Sequence, residues 1–222
     1  MTTYALAITQ VLLARMEADP RTILLGVGVG DSRYGGKDVF NTLTAVTKVF
    51  PDRVIDTPLS ETMLSGACVG LAAEGFHPIL VHARVDFAYL SAEHLFNSAA
   101  TWRMIHGTGC PITIRAIIGE GFGNGPMHSK APLEMFGHVP GVDLFTPRTR
   151  YGLRRAYANA VETGNPTVIL ERRRFYEVEI EEGDESEPAV DWTIPRGPAP
   201  ASAPLERAYY RGGAVHPQHG PF

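Results

Sequence analysis

The sequence predicts an α/β fold, in which a parallel sheet carries helices on both of its faces. Short apolar runs alternate with longer stretches of helical periodicity between Thr3 and Leu170. This alternation is the order that parallel strands joined by crossover helices require. In addition, the run His77–His82 is apolar enough to be covered on both faces, as strands of parallel sheets are.

The elements follow from periodicity and from glycine and proline breaks. The predicted strands are residues 21–25, 53–56, 77–82, 110–117, 142–145 and 166–170. The predicted helices are residues 3–18, 42–50, 62–75, 90–105, 132–137 and 149–163.

In the first half of the chain, helix 3–18 has apolar residues at helical spacing and ends at Asp19-Pro20. The glycine string 26–30 follows a strand, but its spacing does not fit a dinucleotide-binding fingerprint, so we interpret it as a loop. Helix 62–75 has no charged residue before Glu74 and ends at Gly75. We therefore expect this helix to be buried on most sides.

In the second half, helix 90–105 is predicted as one long helix because Leu95, Phe96, Ala99 and Trp102 recur on its turns. The strand 110–117 is followed by a glycine-rich loop, residues 119–128. The remaining short helix, strand, helix and strand repeat the same alternation and complete the sheet.

Three chemically distinctive residues lie in the segments that follow predicted strands: Glu61, Phe87 and His128. Glu61 ends the stretch Asp56–Glu61, which leads from a strand into an apolar helix. Working residues of parallel sheets gather at the carboxyl ends of the strands. A carboxylate, an aromatic ring and an imidazole are therefore predicted to lie along one edge of the sheet.

Composition excludes several classes of function. The chain has 222 residues and a net charge of -4, with seven acidic and no basic residues between Glu177 and Glu187. No concentrated basic face predicts nucleic-acid binding, and no apolar run reaches membrane-spanning length. Cys68 and Cys110 lie far apart in apolar contexts and are interpreted as buried side chains without a metal or disulfide role. A cytoplasmic location is the expectation.

Two regions are predicted along the chain. Residues 1–175 form the α/β domain, and residues 176–222 form an acidic segment followed by a proline- and glycine-rich linker or tail.

Five stretches, in order and with compatible spacing, resemble the β subunit of thiamine-diphosphate-dependent 2-oxoacid dehydrogenases of the pyruvate and branched-chain type. They are Asp56–Glu61, Asp86-Phe87, Asn97–Ala100, Met127–Ser129 and Phe136–Gly141. The resemblance spans about residues 3 to 175 and implies a transketolase-like pyrimidine-binding domain, with the family's C-terminal domain absent from this chain.

The resemblance also implies roles for single residues. Glu61 matches the glutamate that hydrogen-bonds the aminopyrimidine ring nitrogen of the cofactor, and so promotes proton removal from its thiazolium carbon. Phe87 matches the aromatic residue that stacks on the aminopyrimidine, and Leu59 is expected in the same cofactor-binding set. His128 matches a loop histidine that faces the substrate and donates to its developing charge. His138 is interpreted as structural.

The resemblance implies thiamine diphosphate as the cofactor. The diphosphate-binding signature, Gly-Asp-Gly followed at a distance by Asn, is missing from this sequence. The cofactor is therefore expected to be shared with an α-type partner chain, which would hold its diphosphate and Mg²⁺. Two β-type chains are expected to pair with each other in a heterotetramer. The chain is not expected to bind nucleic acid or a membrane, and docking to an acyltransferase is not assumed. Two alternatives stay open: a subunit of a split transketolase-like carboligase, and a catalytically silent module that stabilises a partner chain.

Overall fold

The strands form a six-stranded, all-parallel sheet, which confirms the predicted fold class. The structure is a computed structural model and describes residues 2–30, 42–119 and 125–191. The sheet order is β3-β2-β4-β5-β7-β6. Its strands are β2 (Thr22–Gly26), β3 (Val54–Asp56), β4 (His77–His82), β5 (Thr113–Ile118), β6 (Asp143–Phe145) and β7 (Thr167–Arg172), while β1 (Thr2–Thr3) and β8 (Glu179–Ile180) form a separate antiparallel pair.

Helices connect these strands, as parallel neighbours require. The α-helices are α1 (Tyr4–Ala18), α2 (Thr44–Val49), α3 (Glu61–Ala73), α4 (Trp102–His106), α5 (Leu133–Gly137) and α6 (Arg150–Thr163). A 3₁₀ segment, Val85–Ser91, and a π-helical segment, Glu93–Ala99, lie between β4 and α4.

Alternate residues of the strands point to opposite faces of the sheet and build two cores. Leu24 and Ile169 face the core under α1, α2 and α6. Leu25 and Leu170 face the core under α3, the π-helical segment and α5. Both faces are therefore covered, which explains the continuous apolar character of β4.

Two predictions about helices are wrong in this structure. Only one face of α3 is buried, formed by Leu64, Ser65, Cys68 and Ala72, whereas Met63 on the other side is 51% exposed. The predicted single helix 90–105 is instead divided among three helix types, because Ala100 bonds the carbonyl five residues back, at Leu95. Apolar periodicity does not distinguish these hydrogen-bond patterns.

Residues 176–191 lie against the α/β domain over the described range. Tyr176 is buried, β8 pairs with β1, and the backbone N–H of Asp191 donates to Thr146 Oγ1 at 2.6 Å. The predicted boundary at residue 175 stays a prediction, and the proline-rich tail from residue 192 onward lies outside the described residues.

The two cysteines are buried and free, as expected. Burial raises the pKa of Cys68 to about 12 and that of Cys110 to about 11, so both thiols are protonated at neutral pH. Over the described ranges, no helix has the length and apolar character needed to cross a membrane.

Candidate functional site

The three predicted site residues all lie at the carboxyl edge, by which we mean the edge of the sheet where its strands end. Glu61 begins α3 after β3, Phe87 lies in the 3₁₀ segment after β4, and His128 lies in a 3₁₀ turn after β5. Thr62 Oγ1 donates to the carbonyl of Leu90 at 3.1 Å, which joins the start of α3 to the 3₁₀ segment. The fold thus places these three residues at one edge.

Phe87 and His128 are in direct contact. Their ring centroids are 5.3 Å apart and their planes meet at 76°, an edge-to-face arrangement. Both side chains are half-buried, so each keeps accessible surface at the carboxyl edge. The sequence predicted that these residues lie at the same edge of the sheet. The contact between their rings also defines the orientation of the imidazole relative to the Phe87 ring.

Two glycines determine where the His128 backbone lies. A Cβ atom on Gly119 would be 2.0 Å from the carbonyl oxygen of His128, a distance that no other residue tolerates. Gly125 has a φ of +76°, a left-handed conformation that favours glycine, and its carbonyl accepts from the backbone N–H of His128 at 3.2 Å. Ser129 Oγ donates to the same carbonyl at 2.8 Å.

Glu61 is half-buried at the first position of α3. Within the described ranges its carboxylate makes no hydrogen bond or ion pair, and Ser60 provides no side-chain cap to the helix. A carboxylate at the start of a helix is favoured by the helix dipole. Its oxygens are therefore available to a donor from outside the described chain.

Asp86 and Lys130 form a second connection between the segments that carry Phe87 and His128. Lys130 contacts Asp86 Oδ1 through its backbone N–H and through Nζ, both at 3.3 Å. The Asp86 side chain is only 3% exposed, and burial raises its pKa. The sequence places Asp86 in the Asp86-Phe87 motif without a role of its own, and it does not single out Lys130. An acidic residue directly after a buried strand was the available signal.

His82, to which the sequence assigned no role, is fully enclosed at the end of β4. Its Nε2 lies 2.8 Å from Ser91 Oγ. Burial lowers the pKa of His82 to about 4, so its imidazole is neutral at neutral pH. A histidine within a strand covered on both faces must find a buried partner, which was the missed signal.

The remaining predicted residues occupy less enclosed positions. Leu59 is 76% exposed in the loop between β3 and α3, and its expected contact with a cofactor stays a prediction. His138 is exposed at the end of α5. Among the described residues, no group of three or more histidine, cysteine or acidic side chains could hold a metal ion.

The family model of the transketolase pyrimidine-binding domain matches residues 1–178. The chain belongs to this family. The match covers the whole six-stranded sheet and the carboxyl edge described above.

Individual relatives are β subunits of oxidoreductases, which confirms the resemblance stated above. The chain is 34% identical to the acetoin:2,6-dichlorophenolindophenol oxidoreductase subunit beta of Cupriavidus necator, over 80% of this chain and 56% of the relative. It is 32% identical to the 2-oxoisovalerate dehydrogenase subunit beta of Bacillus subtilis, over 88% of this chain and 58% of the relative. The chain therefore spans little more than half the length of these relatives.

A solved structure shares the fold. It is described as a split gene transketolase, inactive beta4 tetramer, and it aligns with a TM-score of 0.51 at 21% identity over 75% of this chain and 50% of the other.

Proposed function

We propose that this chain contributes the aminopyrimidine-binding half of the active site in a heteromeric thiamine-diphosphate enzyme that decarboxylates a 2-oxoacid. The observation that carries the proposal is the placement of Glu61, Phe87 and His128 at one edge of a pyrimidine-binding domain. When bound, the cofactor would supply a nucleophilic carbon that attacks the substrate's 2-oxo group.

The residues at the carboxyl edge fit the pyrimidine half of this cofactor. The half-buried ring of Phe87 offers apolar area for stacking on a flat heterocycle. The Glu61 carboxylate, which makes no hydrogen bond or ion pair with a described residue, would hold a proton at the aminopyrimidine ring nitrogen. Its role would be to select the tautomer in which the neighbouring amine removes a proton from the thiazolium carbon.

His128 would act on the substrate rather than on the cofactor. Its imidazole is held against Phe87, so a substrate near the stacked heterocycle would lie within its reach. An imidazole there can donate a proton or a hydrogen bond to the oxygen on which charge develops.

The diphosphate half would come from a partner chain. The sequence lacks the Gly-Asp-Gly signature, so an α-type chain would hold the diphosphate and Mg²⁺. Leu59, Met63 and Leu90 are exposed beside the carboxyl edge, and a group of exposed apolar side chains of this kind is typical of an interface. We propose that the α-type partner covers this face and that two β-type chains pair in the complete assembly.

The substrate class is open between two chemistries that the relatives' names suggest. One relative is named for a 2-oxoisovalerate dehydrogenase and another for an acetoin oxidoreductase. A 2-oxoacid and acetoin would both place a carbonyl carbon against the cofactor. We favour the 2-oxoacid because several relatives are named as subunits of 2-oxoacid dehydrogenases.

The test is reconstitution with an α-type chain that carries the diphosphate signature. The pair is assayed with pyruvate, branched 2-oxoacids and acetoin, using 2,6-dichlorophenolindophenol as electron acceptor. We expect turnover that depends on thiamine diphosphate, a loss of at least about 100-fold in Glu61→Gln, and a fall in kcat with retained cofactor affinity in His128→Gln.

Matched controls come from the same elements. Glu74→Gln changes an exposed glutamate at the other end of α3, and His138→Gln changes an exposed histidine after α5. Both should retain turnover. Full activity in Glu61→Gln would overturn the proposal, and a complex whose melting temperature thiamine diphosphate does not raise would favour a silent module.

A further inference from the structure

Three buried polar side chains from three different elements form a continuous row beneath the start of α3. They are His82 at the end of β4, Ser91 at the end of the 3₁₀ segment and Ser65 in α3, and each is at most 3% exposed. We call this row the His82 network. His82 Nε2 lies 2.8 Å from Ser91 Oγ, and Ser91 Oγ lies 2.5 Å from Ser65 Oγ.

The row ends on the backbone of the candidate catalytic carboxylate. Ser65 Oγ lies 2.6 Å from the carbonyl oxygen of Glu61. Ser91 closes the segment that contains Phe87. The His82 network therefore connects the residue proposed to hold the pyrimidine ring nitrogen with the segment proposed to stack on the ring.

Only one arrangement of protons satisfies all three contacts. The Glu61 carbonyl has no proton, so Ser65 must donate to it, and the single Ser65 hydroxyl proton is then used. Ser91 must therefore donate to Ser65 Oγ, and His82 must donate to Ser91 through an Nε2–H group. Burial keeps the imidazole neutral, so it carries one proton, which this chain of donors places on Nε2.

The alternative tautomer would disconnect the row from Glu61. With the proton on Nδ1, Ser91 would donate to His82 and Ser65 would donate to Ser91. The Glu61 carbonyl would then lose its side-chain donor, and the row would still join Ser65 to β4 but would stop one residue short of Glu61. The tautomer of His82 thus determines whether the row includes the Glu61 carbonyl or ends at Ser65.

We propose that His82 is a positioning residue, which acts through Ser91 and Ser65 to fix the turn that carries Glu61 relative to Phe87. Its significance for catalysis rests on the function proposed above, whereas the connection itself can be tested on this chain without cofactor or partner.

The first test is the tautomer of His82, measured by ¹⁵N NMR of the imidazole at neutral pH. We expect the proton on Nε2. A proton on Nδ1 would overturn the proposal.

The second test is amide hydrogen exchange. In Ser91→Ala we expect the amide of Leu64, which bonds the Ser60 carbonyl at 2.9 Å, to exchange at least tenfold faster, while amides of β5 stay unchanged. His82→Leu should behave like Ser91→Ala, and His82→Gln, which keeps a donor amide, should restore slow exchange. Thr9→Val removes another buried hydroxyl, in α1, and serves as the matched control. Unchanged exchange at Leu64 in Ser91→Ala would contradict the proposal.

A third measurement links the network to catalysis. In the reconstituted pair, Ser91→Ala should raise the KM for thiamine diphosphate about tenfold, with a smaller change in kcat. If Glu61→Gln has no effect on turnover, the proposed function fails. If Glu61→Gln abolishes turnover and Ser91→Ala leaves both constants unchanged, only the positioning role fails.

Discussion

Two glutamates at the carboxyl edge of the sheet occupy opposite environments. Glu171, in β7, is completely buried and accepts from Arg115 Nη2 at 2.9 Å, from Tyr157 Oη at 2.5 Å and from Tyr176 Oη at 2.6 Å. Glu61, at the start of α3, has no donor among the described residues. Position on the sheet therefore does not decide whether a carboxylate is satisfied inside the chain, whereas the donors around it do.

We call Glu171 and its three donors, Arg115, Tyr157 and Tyr176, the Glu171 cluster. Removing any one of them should lower the stability of the fold. Both Arg115 and Glu171 have no exposed side-chain surface, so their charges depend on each other for solvation. Burial, reinforced by the Glu171 charge, raises the pKa of Tyr157 and Tyr176, so both hydroxyls remain donors over the accessible pH range.

The largest expected effect is that of Glu171→Ala. This change leaves the Arg115 charge buried without its counter-ion and should lower the free energy of unfolding by about 3–5 kcal/mol. Urea unfolding followed by circular dichroism measures it. The double variant Arg115→Met/Glu171→Leu removes both charges and should be less destabilised than the single variant; an equal or larger loss would contradict the explanation.

The next effect concerns His82 and depends on pH. Burial lowers its pKa from 6.5 to about 4, so the unfolded chain takes up a proton as pH falls through this interval and the folded chain does not. The stability contributed by neutral His82 is therefore complete above about pH 6.5 and decreases towards pH 4, by about 3 kcal/mol. Glutamine does not titrate, so the free energy of unfolding of His82→Gln should not show this decrease. Between pH 6.5 and pH 4 it should fall about 3 kcal/mol less than that of the wild type. Parallel pH profiles in wild type and variant would refute this prediction.

A smaller effect is expected from Tyr176→Phe. It removes one donor to the Glu171 carboxylate while keeping the ring, and hydrogen bonds to charged groups contribute about 2 kcal/mol. Thermal and urea unfolding measure the loss. Tyr151→Phe is the control, because the Tyr151 hydroxyl makes no hydrogen bond with a described residue. Equal stabilities of the two variants would show that the hydroxyl of Tyr176 is not needed by Glu171.

The smallest effect on stability is expected for Glu61→Gln. Because its carboxylate makes no hydrogen bond or ion pair with a described residue, the free energy of unfolding should change by less than about 0.5 kcal/mol. Calorimetry on the chain alone checks this. A loss comparable to that of Glu171→Ala would mean that Glu61 has a structural partner and would remove the contrast between the two glutamates.

The sheet and its carboxyl edge could be predicted from the sequence because they depend on local periodicity and on the rule that parallel strands end together. The strand His77–His82 was predicted with its observed limits. The roles of Glu61, Phe87, Leu59 and His128 stay predictions, although the contact between Phe87 and His128 makes a shared site geometrically consistent.

What could not be predicted depends on contacts distant in sequence. Lys130 and Asp86 are 44 positions apart, and Ser65 and Ser91 are 26 apart. Neither pair leaves a spacing signal in the chain. The π-helical segment was missed for a different reason. Its backbone hydrogen bonds span five residues instead of four, and the spacing of the apolar residues in the sequence does not reveal this difference.

The close approach of Gly119 to the carbonyl of His128 limits how this edge can vary. Any side chain at position 119 would displace the backbone that carries the imidazole and so alter its contact with Phe87. The residue has no functional group, yet replacing its hydrogen with a methyl group would change the reach of a histidine nine positions later. The geometry of this edge thus depends on an empty volume as much as on the side chains around it.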